Sequence, residues 1–432
     1  GTRLTPVNLP NLINVVAIAA GEAHTCALLA SGTARCWGLN SSGQLGSNTA
    51  SSISPTPTAV AGLGRVVAIA AGGTLGSSHT CALQADGKVL CWGSNNVGQL
   101  GVGFVSTPSS APVLVPGLSD VVAIAVGEQH SCALVAIGAL FCWGSDGVTS
   151  HLVPTLVSLD NVVAIAGGNR HSCALRADGT AWCWGQNLLG QLGNGGTTST
   201  ASPSLVGSGA LLNVVSIAGG FGHSCTSLAD GTAHCFGDNT AGQLGDATTT
   251  SSKTPTLVQA KPLSILGGGT FLRPLRNVVN VTTGRRHSCS LSAGGAVSCW
   301  GENAFGQLGN NSTINSNVPV SVPSFALNID PIVALHARNE RVTDVTVVAN
   351  CDEGQWLHVN VTLTQDAVSG RGVASGQCTG ALTQYEVTVP AQGRDAFVVG
   401  TAVVTAHAVI QAPGAIADTQ EWTRQVTIED AP

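Results

Sequence analysis

The chain has no methionine, and only 9% of its 432 residues are charged, against roughly a quarter in an ordinary soluble protein. Lysine is confined to Lys88, Lys253 and Lys261, the net charge is −6, and neither Lys nor Arg gathers into a basic run. Nucleic acid and anionic membrane surfaces are therefore excluded as expected partners. No apolar segment approaches the roughly 20 residues that span a bilayer; runs such as Val15 to Ala20 are strand-sized. Nor does any stretch keep helical periodicity over about ten residues. A chain that starts at Gly1 and lacks Met is expected to have lost a leader.

What is present is order. Apolar residues make up 44%, enough to rule out a disordered chain. A fifteen-residue stretch beginning at His24 returns at His79, His130, His171, His223 and His287. In each copy a Cys follows two residues after the His and a second Cys ten further on, the latter usually in Cys-Trp-Gly. Before the His lies a short Val/Ile/Ala run ending in Gly, and after the second Cys a Gly-Gln-Leu-Gly at 43–46, 98–101, 190–193, 242–245 and 306–309. The third copy lacks this last motif, running from Ser145-Asp146-Gly147-Val148 to His151. First cysteines at 26, 81, 132, 173, 225 and 289 are spaced by 55, 51, 41, 52 and 64 residues. Constant strands with loops of changing length give that irregular period.

Short β-rich runs bounded by Gly, Pro, Asn and Asp read as strands and turns. Four strands per unit, the last containing Pro, make propeller blades. Thr5-Pro6-Val7-Asn8-Leu9 and Val318-Pro319-Val320-Ser321-Val322 are further Pro-strands at the two ends of the repeat region. Beyond about residue 325 the grammar changes to longer runs alternating at period two, as in Leu357 to Val361 and Tyr385 to Val389. The expected architecture is all-β: a β-propeller over 1–325, with six repeats and six or seven blades, then a small immunoglobulin-like β-sandwich over 326–432.

The recurring Val-Val-Ala-Ile-Ala-Ala-Gly-x-x-His-Thr-Cys-Ala-Leu, Cys-Trp-Gly-x-Asn and Gly-Gln-Leu-Gly resemble the regulator of chromosome condensation repeat family, over roughly residues 10 to 325. The resemblance implies a propeller, usually of seven blades, where six full copies are counted here. It does not bring the family's best-known activities with it. The chromatin-bound exchange factor is intracellular, and the plant photoreceptor uses a Trp and Arg cluster, whereas Trp here is almost confined to Cys-Trp-Gly. A secreted bacterial β-lactamase inhibitor with this repeat, binding through one propeller face, is closer in setting. The paired cysteines depart from ordinary members.

Fourteen cysteines leave none over: Cys26 with Cys36, Cys81 with Cys91, Cys132 with Cys142, Cys173 with Cys183, Cys225 with Cys235, Cys289 with Cys299, and Cys351 with Cys378. In each repeat the two Cys are equidistant from the hairpin turn, so they face one another across antiparallel strands, near disulfide range. The competing reading is a metal site of His24, Cys26 and Cys36, but the repeat supplies no fourth ligand. An even, position-locked set reads as disulfides made in an oxidising, extracellular setting.

The repeated His is expected to bond a backbone group in its turn, and the Gln of Gly-Gln-Leu-Gly to clamp a loop. A catalytic centre would break the repeat with acids, a nucleophile and a base; no such cluster exists, and Asp352-Glu353 reads as a solvated turn. No enzyme activity, metal or cofactor is expected. What varies between copies is the loop before each His, and all six such loops should share one face of the ring. Glu22, Glu128, Arg170, Arg285 and Arg286 in those loops are the candidate contact residues, against simple solvation of a rim. The insertion from Gln259 to Arg276 is a contact loop or slack.

Two functional readings stand. One is a non-enzymatic extracellular structural or adhesive protein, a self-assembling, head-to-tail subunit of a cell-surface filament. The other is a secreted inhibitor or ligand-binding propeller that holds an extracellular protein on one face.

Overall fold

The computed structural model describes residues 9, 12–49, 51–264, 270–322, 327–329, 332–335, 342–349, 356–366, 368–377, 383–392, 398, 400–412 and 415–430. Cys351, Cys378, Asp352, Glu353 and the Pro-strand at 5–9, apart from Leu9, lie outside them. The chain divides into two compact units, Gly1–Val320 and Ser321–Pro432.

The first unit holds six four-stranded antiparallel sheets, each taking its strands in chain order. These are the blades. In blade 1 the strands are Val15–Ala20, His24–Leu29, Ala34–Leu39 and Ile53–Ala59, and the other five repeat the plan. The first strands of successive blades pack on one another, which puts them nearest the axis of the ring. Val- and Ala-rich sequence suits these inner strands. The Pro-containing fourth strands sit at the blade edge, where a missing N–H costs no ladder bond. A Gly with φ near +80°, such as Gly32 or Gly87, closes each hairpin between second and third strands, a conformation that strains a residue with a Cβ. The insertion adds a two-stranded hairpin of Gln259–Ser264 and Thr270–Pro274.

The apolar cores lie between blades rather than inside them. One cluster joins Cys26, Leu28, Cys36 and Leu45 of blade 1 to Val66, Ala82 and Trp92 of blade 2. Four others do the same at the next four junctions. The six repeat cysteine pairs are disulfides directly across the hairpin, with Cα atoms 4.0 or 4.1 Å apart.

The second unit is also all-β. Its strands pair in the order Leu327–Ile329, Val342–Ala349, Ile332–Leu335, Ala415–Asp430, Gly400–Ala412, Trp356–Gln365, Val368–Gln377 and Thr383–Gln392. The last pairs back onto Val342–Ala349, from Val342↔Pro390 to Ala349↔Thr383, so the pairing runs round a closed circuit. Period-two alternation does the rest: Leu357, Val359, Val361 and Leu363 of one strand are buried, as are Val387, Val389 and Val404.

Candidate interaction site

Two sets of recurring side chains bear on function, one between blades and one on the loop face. Between blades, the His of one blade reaches the residue after the His of the next. His24 Nε2 lies 2.9 Å from Thr80 Oγ1, His79 2.8 Å from Ser131, His130 2.7 Å from Ser172, His171 2.8 Å from Ser224 and His223 2.9 Å from Ser288. This corrects the expectation of a backbone partner, because the acceptor is a hydroxyl of the neighbouring blade. The Thr80, Ser131, Ser224 and Ser288 hydroxyls in turn donate to the carbonyls of Gln44, Gln99, Gln191 and Gln243. Each hydroxyl has one proton and spends it there, so the imidazole donates through Nε2–H.

The same carbonyls take an indole: Trp92, Trp143 and Trp300 donate Nε1–H to Gln44, Gln99 and Gln243. The Gln side chain is a loop clamp as well, Gln44 Oε1 accepting the Ser42 N–H. The Asn of Cys-Trp-Gly-x-Asn holds the same loop, Asn40 Oδ1 accepting from Leu45 and its Nδ2 donating to Ser51. In blade 3 Asp146 replaces this device, accepting the N–H groups of Val148 and Thr149.

Burial pushes these imidazoles far down, to about 4 for His24 and His130 and about 3 for His79, His171 and His223. Their Nδ1 atoms have no partner, which suits a neutral ring and penalises protonation. The sulfur atoms of the repeat are bonded to each other and the His rings point to the next blade. Among the described residues no group of three His, Cys, Asp or Glu is placed to hold a metal.

The candidate loop residues form separate pairs, Glu22 with Arg285, Glu128 with Arg170, and Arg286 with Glu302 outside the set. Glu22 Oε1 accepts from Arg285 at 2.7 Å and its Oε2 from the Leu75 N–H at 2.7 Å. Glu128 accepts from Thr74 at 2.9 Å and pairs with Arg170 at 3.5 Å. The Arg285 guanidinium stands 5.2 Å over the Phe221 ring, while Arg286 pairs with Glu302 at 3.7 Å and donates to Thr240. The charges thus bond one another round the ring, and the glutamates are the more buried partners.

Between them the surface is apolar. A depression of about 390 Å³ is lined by Leu188, Leu189 and Phe221 with Glu128, Asn169, Arg170 and Gln186. Leu188 is 66% exposed, and Phe305, at the matching loop of blade 6, is 74% exposed. None of these apolar side chains was among the candidates of the sequence reading. The signal was there: the two residues before Gly-Gln-Leu-Gly are small or polar in Ser41-Ser42 but read Leu188-Leu189 and Ala304-Phe305 elsewhere.

No helix among the described residues is long and apolar enough to cross a membrane. The family model for the RCC1-like domain matches residues 2–337. HERC6 of Homo sapiens, a probable E3 ubiquitin-protein ligase, is 32% identical over 259 residues, 59% of this chain and 21% of its own length. The ultraviolet-B receptor UVR8 of Arabidopsis thaliana is 28% identical over 344 residues, 76% of this chain and 74% of its own. The crystal structure of Prp20p from Saccharomyces cerevisiae, described with its binding to Gsp1p and histones, matches at a TM-score of 0.61 and 24% identity, over 73% of this chain and 79% of that one. Human WBSCR16 matches at 0.63 and 22%, over 74% and 85%. At these identities the solved structures establish the fold alone. The chain spans about a fifth of HERC6 and HERC5, 21% and 19%, so their ligase activity is not carried over.

Proposed function

This chain belongs to the RCC1-like domain family, and from that premise we propose that it is a non-catalytic, extracellular propeller that binds a protein on its loop face. The observation that carries the reading is the exposed apolar group of Leu188, Leu189 and Phe221, set among arginines already held by glutamates, with Phe305 likewise exposed at the matching loop of blade 6. Aromatic and aliphatic anchors inside a polar rim are the anatomy of a protein contact, and larger exposed apolar patches mark such sites. Pre-paired charges hold the loops still, which lowers the ordering cost of binding. The extracellular part rests on six disulfides, which persist where thiols are not kept reduced.

A photo-crosslinker placed at position 305 or 188 tests the face, with Ile137, 88% exposed on a hairpin turn at the other end of its blade, as control. Capture of the same protein from 305 and 188 but not from 137 is expected; equal capture from 137 overturns the assignment.

A second reading, a structural or adhesive subunit of a cell-surface filament, is favoured by exposed apolar residues at both ends of the blades, Phe305 at one and Ile137 at the other. Electron microscopy of native material decides it. Regular filaments would establish a self-assembling subunit, whereas dispersed monomers would leave the binding module.

A further inference from the structure

The loop before each His holds the same place in every blade, and blade 4 differs in what its side chains do there. Glu22 accepts from Arg285 and the Leu75 N–H, Glu128 from Thr74 and Arg170, and Phe221 lies under the Arg285 guanidinium. Asn169 fills this position in blade 4. It is only 9% exposed, its Oδ1 has no hydrogen-bond partner, and its Nδ2 has none among the described residues. A buried acceptor left unpaired bears the full cost of its lost hydration. The residue after Cys-Trp-Gly or Cys-Phe-Gly repeats the contrast. Ser94 donates to Asn96, Ser145 accepts the Gly147 N–H, Asp238 accepts from Thr240 and Gln243, and Glu302 pairs with Arg286. Gln186 of blade 4 is half-buried, and no described residue bonds its side chain. Both uncommitted carboxamides line the depression of about 390 Å³ beside Leu188, Leu189 and Phe221.

We infer that this depression grips the main chain of an extended, uncharged segment of the partner protein and takes one large apolar side chain among Leu188, Leu189 and Phe221. The inference rests on the loop-face reading and narrows it to one site and one kind of partner surface. A carboxamide offers an acceptor and two donors, the complement of a peptide group's N–H and C=O. It turns readily about its last bond, so Asn169 Oδ1 can take a main-chain N–H while Nδ2 gives to a carbonyl. Gln186 is free to bond a second peptide group. The main chain of a helix is already paired within itself, which leaves an extended segment as the occupant. Charge is disfavoured, because Glu128 and Arg170 at the rim already pair with each other. A sugar wants an open aromatic face, and the Phe221 ring has the Arg285 guanidinium 5.2 Å over it. The walls are also set in advance. A Cβ on Gly222 would come 2.6 Å from Leu189 and one on Gly147 3.2 Å from the Arg170 stem, so both side chains pack directly on those glycines.

The test uses the full, oxidised, nitrogen-15-labelled chain and a blocked neutral probe, acetyl-Gly-Gly-Leu-Gly-Gly-amide. Matching probes carry Phe or Gly in place of the Leu, or methyl groups on the nitrogens of the Leu and the Gly after it. The Asn169 and Gln186 side-chain amide signals are expected to shift saturably with the Leu and Phe probes and to stay still with the all-Gly probe. N-methylation removes the N–H that Asn169 takes and should weaken binding about tenfold. Asn169→Ala gives up no hydrogen bond of the free chain, so it should fold normally and bind the Leu probe about tenfold more weakly. Leu188→Asp should end binding. The inference fails if neither apolar probe moves those signals, or if N-methylation and Asn169→Ala both leave the affinity unchanged. It fails equally if maltotetraose moves them and the peptides do not. The loop-face reading fails by a different result, equal photo-crosslinking from positions 137 and 188. Capture of one protein from 188 and 305 but not 137 that persists undiminished in an Asn169→Ala, Gln186→Ala chain keeps the loop face and overturns the main-chain grip.

Discussion

At five junctions the repeat motif is a joint, and among the described residues the return from blade 6 to blade 1 shows no such joint. His171 is buried against Ser224, and its counterpart His287 is only partly buried, with no interblade hydroxyl against it among the described residues. Trp143 is buried and bonded to Gln99, and its counterpart Trp37 is half-buried, with no indole acceptor among the described residues. The residues are of the same type, so the difference lies in the neighbour. The lesson is that His-x-Cys and Gly-Gln-Leu-Gly do not stabilise their own blade alone; much of their contribution exists only when a second blade supplies the other half.

That contrast can be broken or sharpened by experiment. The largest effect is expected from acid, because five buried rings share it. Their pKa values in the folded chain lie at about 3 to 4, below the unfolded value of about 6.5. The unfolded state then binds more protons as pH falls. The stabilisation is full above about 6.5 and is lost as pH drops through about 4 to 3, so thermal unfolding followed from pH 7 to 3 should show a steep fall. His287→Ala should alter that profile less than His171→Ala.

Next comes the indole. Trp143→Ala should cost about 3–5 kcal/mol in denaturant unfolding, and Trp37→Ala distinctly less. A Trp37 loss as large as the Trp143 loss would mean the return junction is closed. Removing the Cys81–Cys91 disulfide as a double Ala variant should cost about 2–3 kcal/mol from loop entropy, plus the loss of buried sulfur from the core of blades 2 and 3. The Cys289–Cys299 loop has the same length, so only its smaller burial should separate the two. Ser131→Ala strips His79 of its acceptor and should cost about 1–3 kcal/mol, whereas Thr25→Ala should be near neutral. The smallest effect is expected at Arg285→Ala, about 0–1 kcal/mol for an exposed pair; there the informative readout is faster amide exchange around Glu22 and Leu75.

How much of this was legible beforehand varies with the range of the contact. Blades, hairpins and the Cys pairing could be read because each depends on residues within about ten positions, where a turn centre fixes which side chains face each other. The five loop residues could be placed on one face because the repeat fixes where each loop emerges. Their use could not be read. Glu22 finds Arg285 across 263 positions, and no spacing rule indicates which charge closes on which. His24 likewise finds Thr80 from 56 positions away, so a local backbone partner was the natural but mistaken expectation.

The sequence by itself determined an all-β chain of six stapled blades, because strand alternation, turn glycines and cross-hairpin cysteines are local physics repeated six times. Only the tertiary structure decided that the cores lie between blades, that five of the conspicuous histidines interlock neighbouring blades, and that the loop charges bond one another. These are contacts between blades far apart in the chain. A motif written identically in every copy cannot say which neighbour each copy meets.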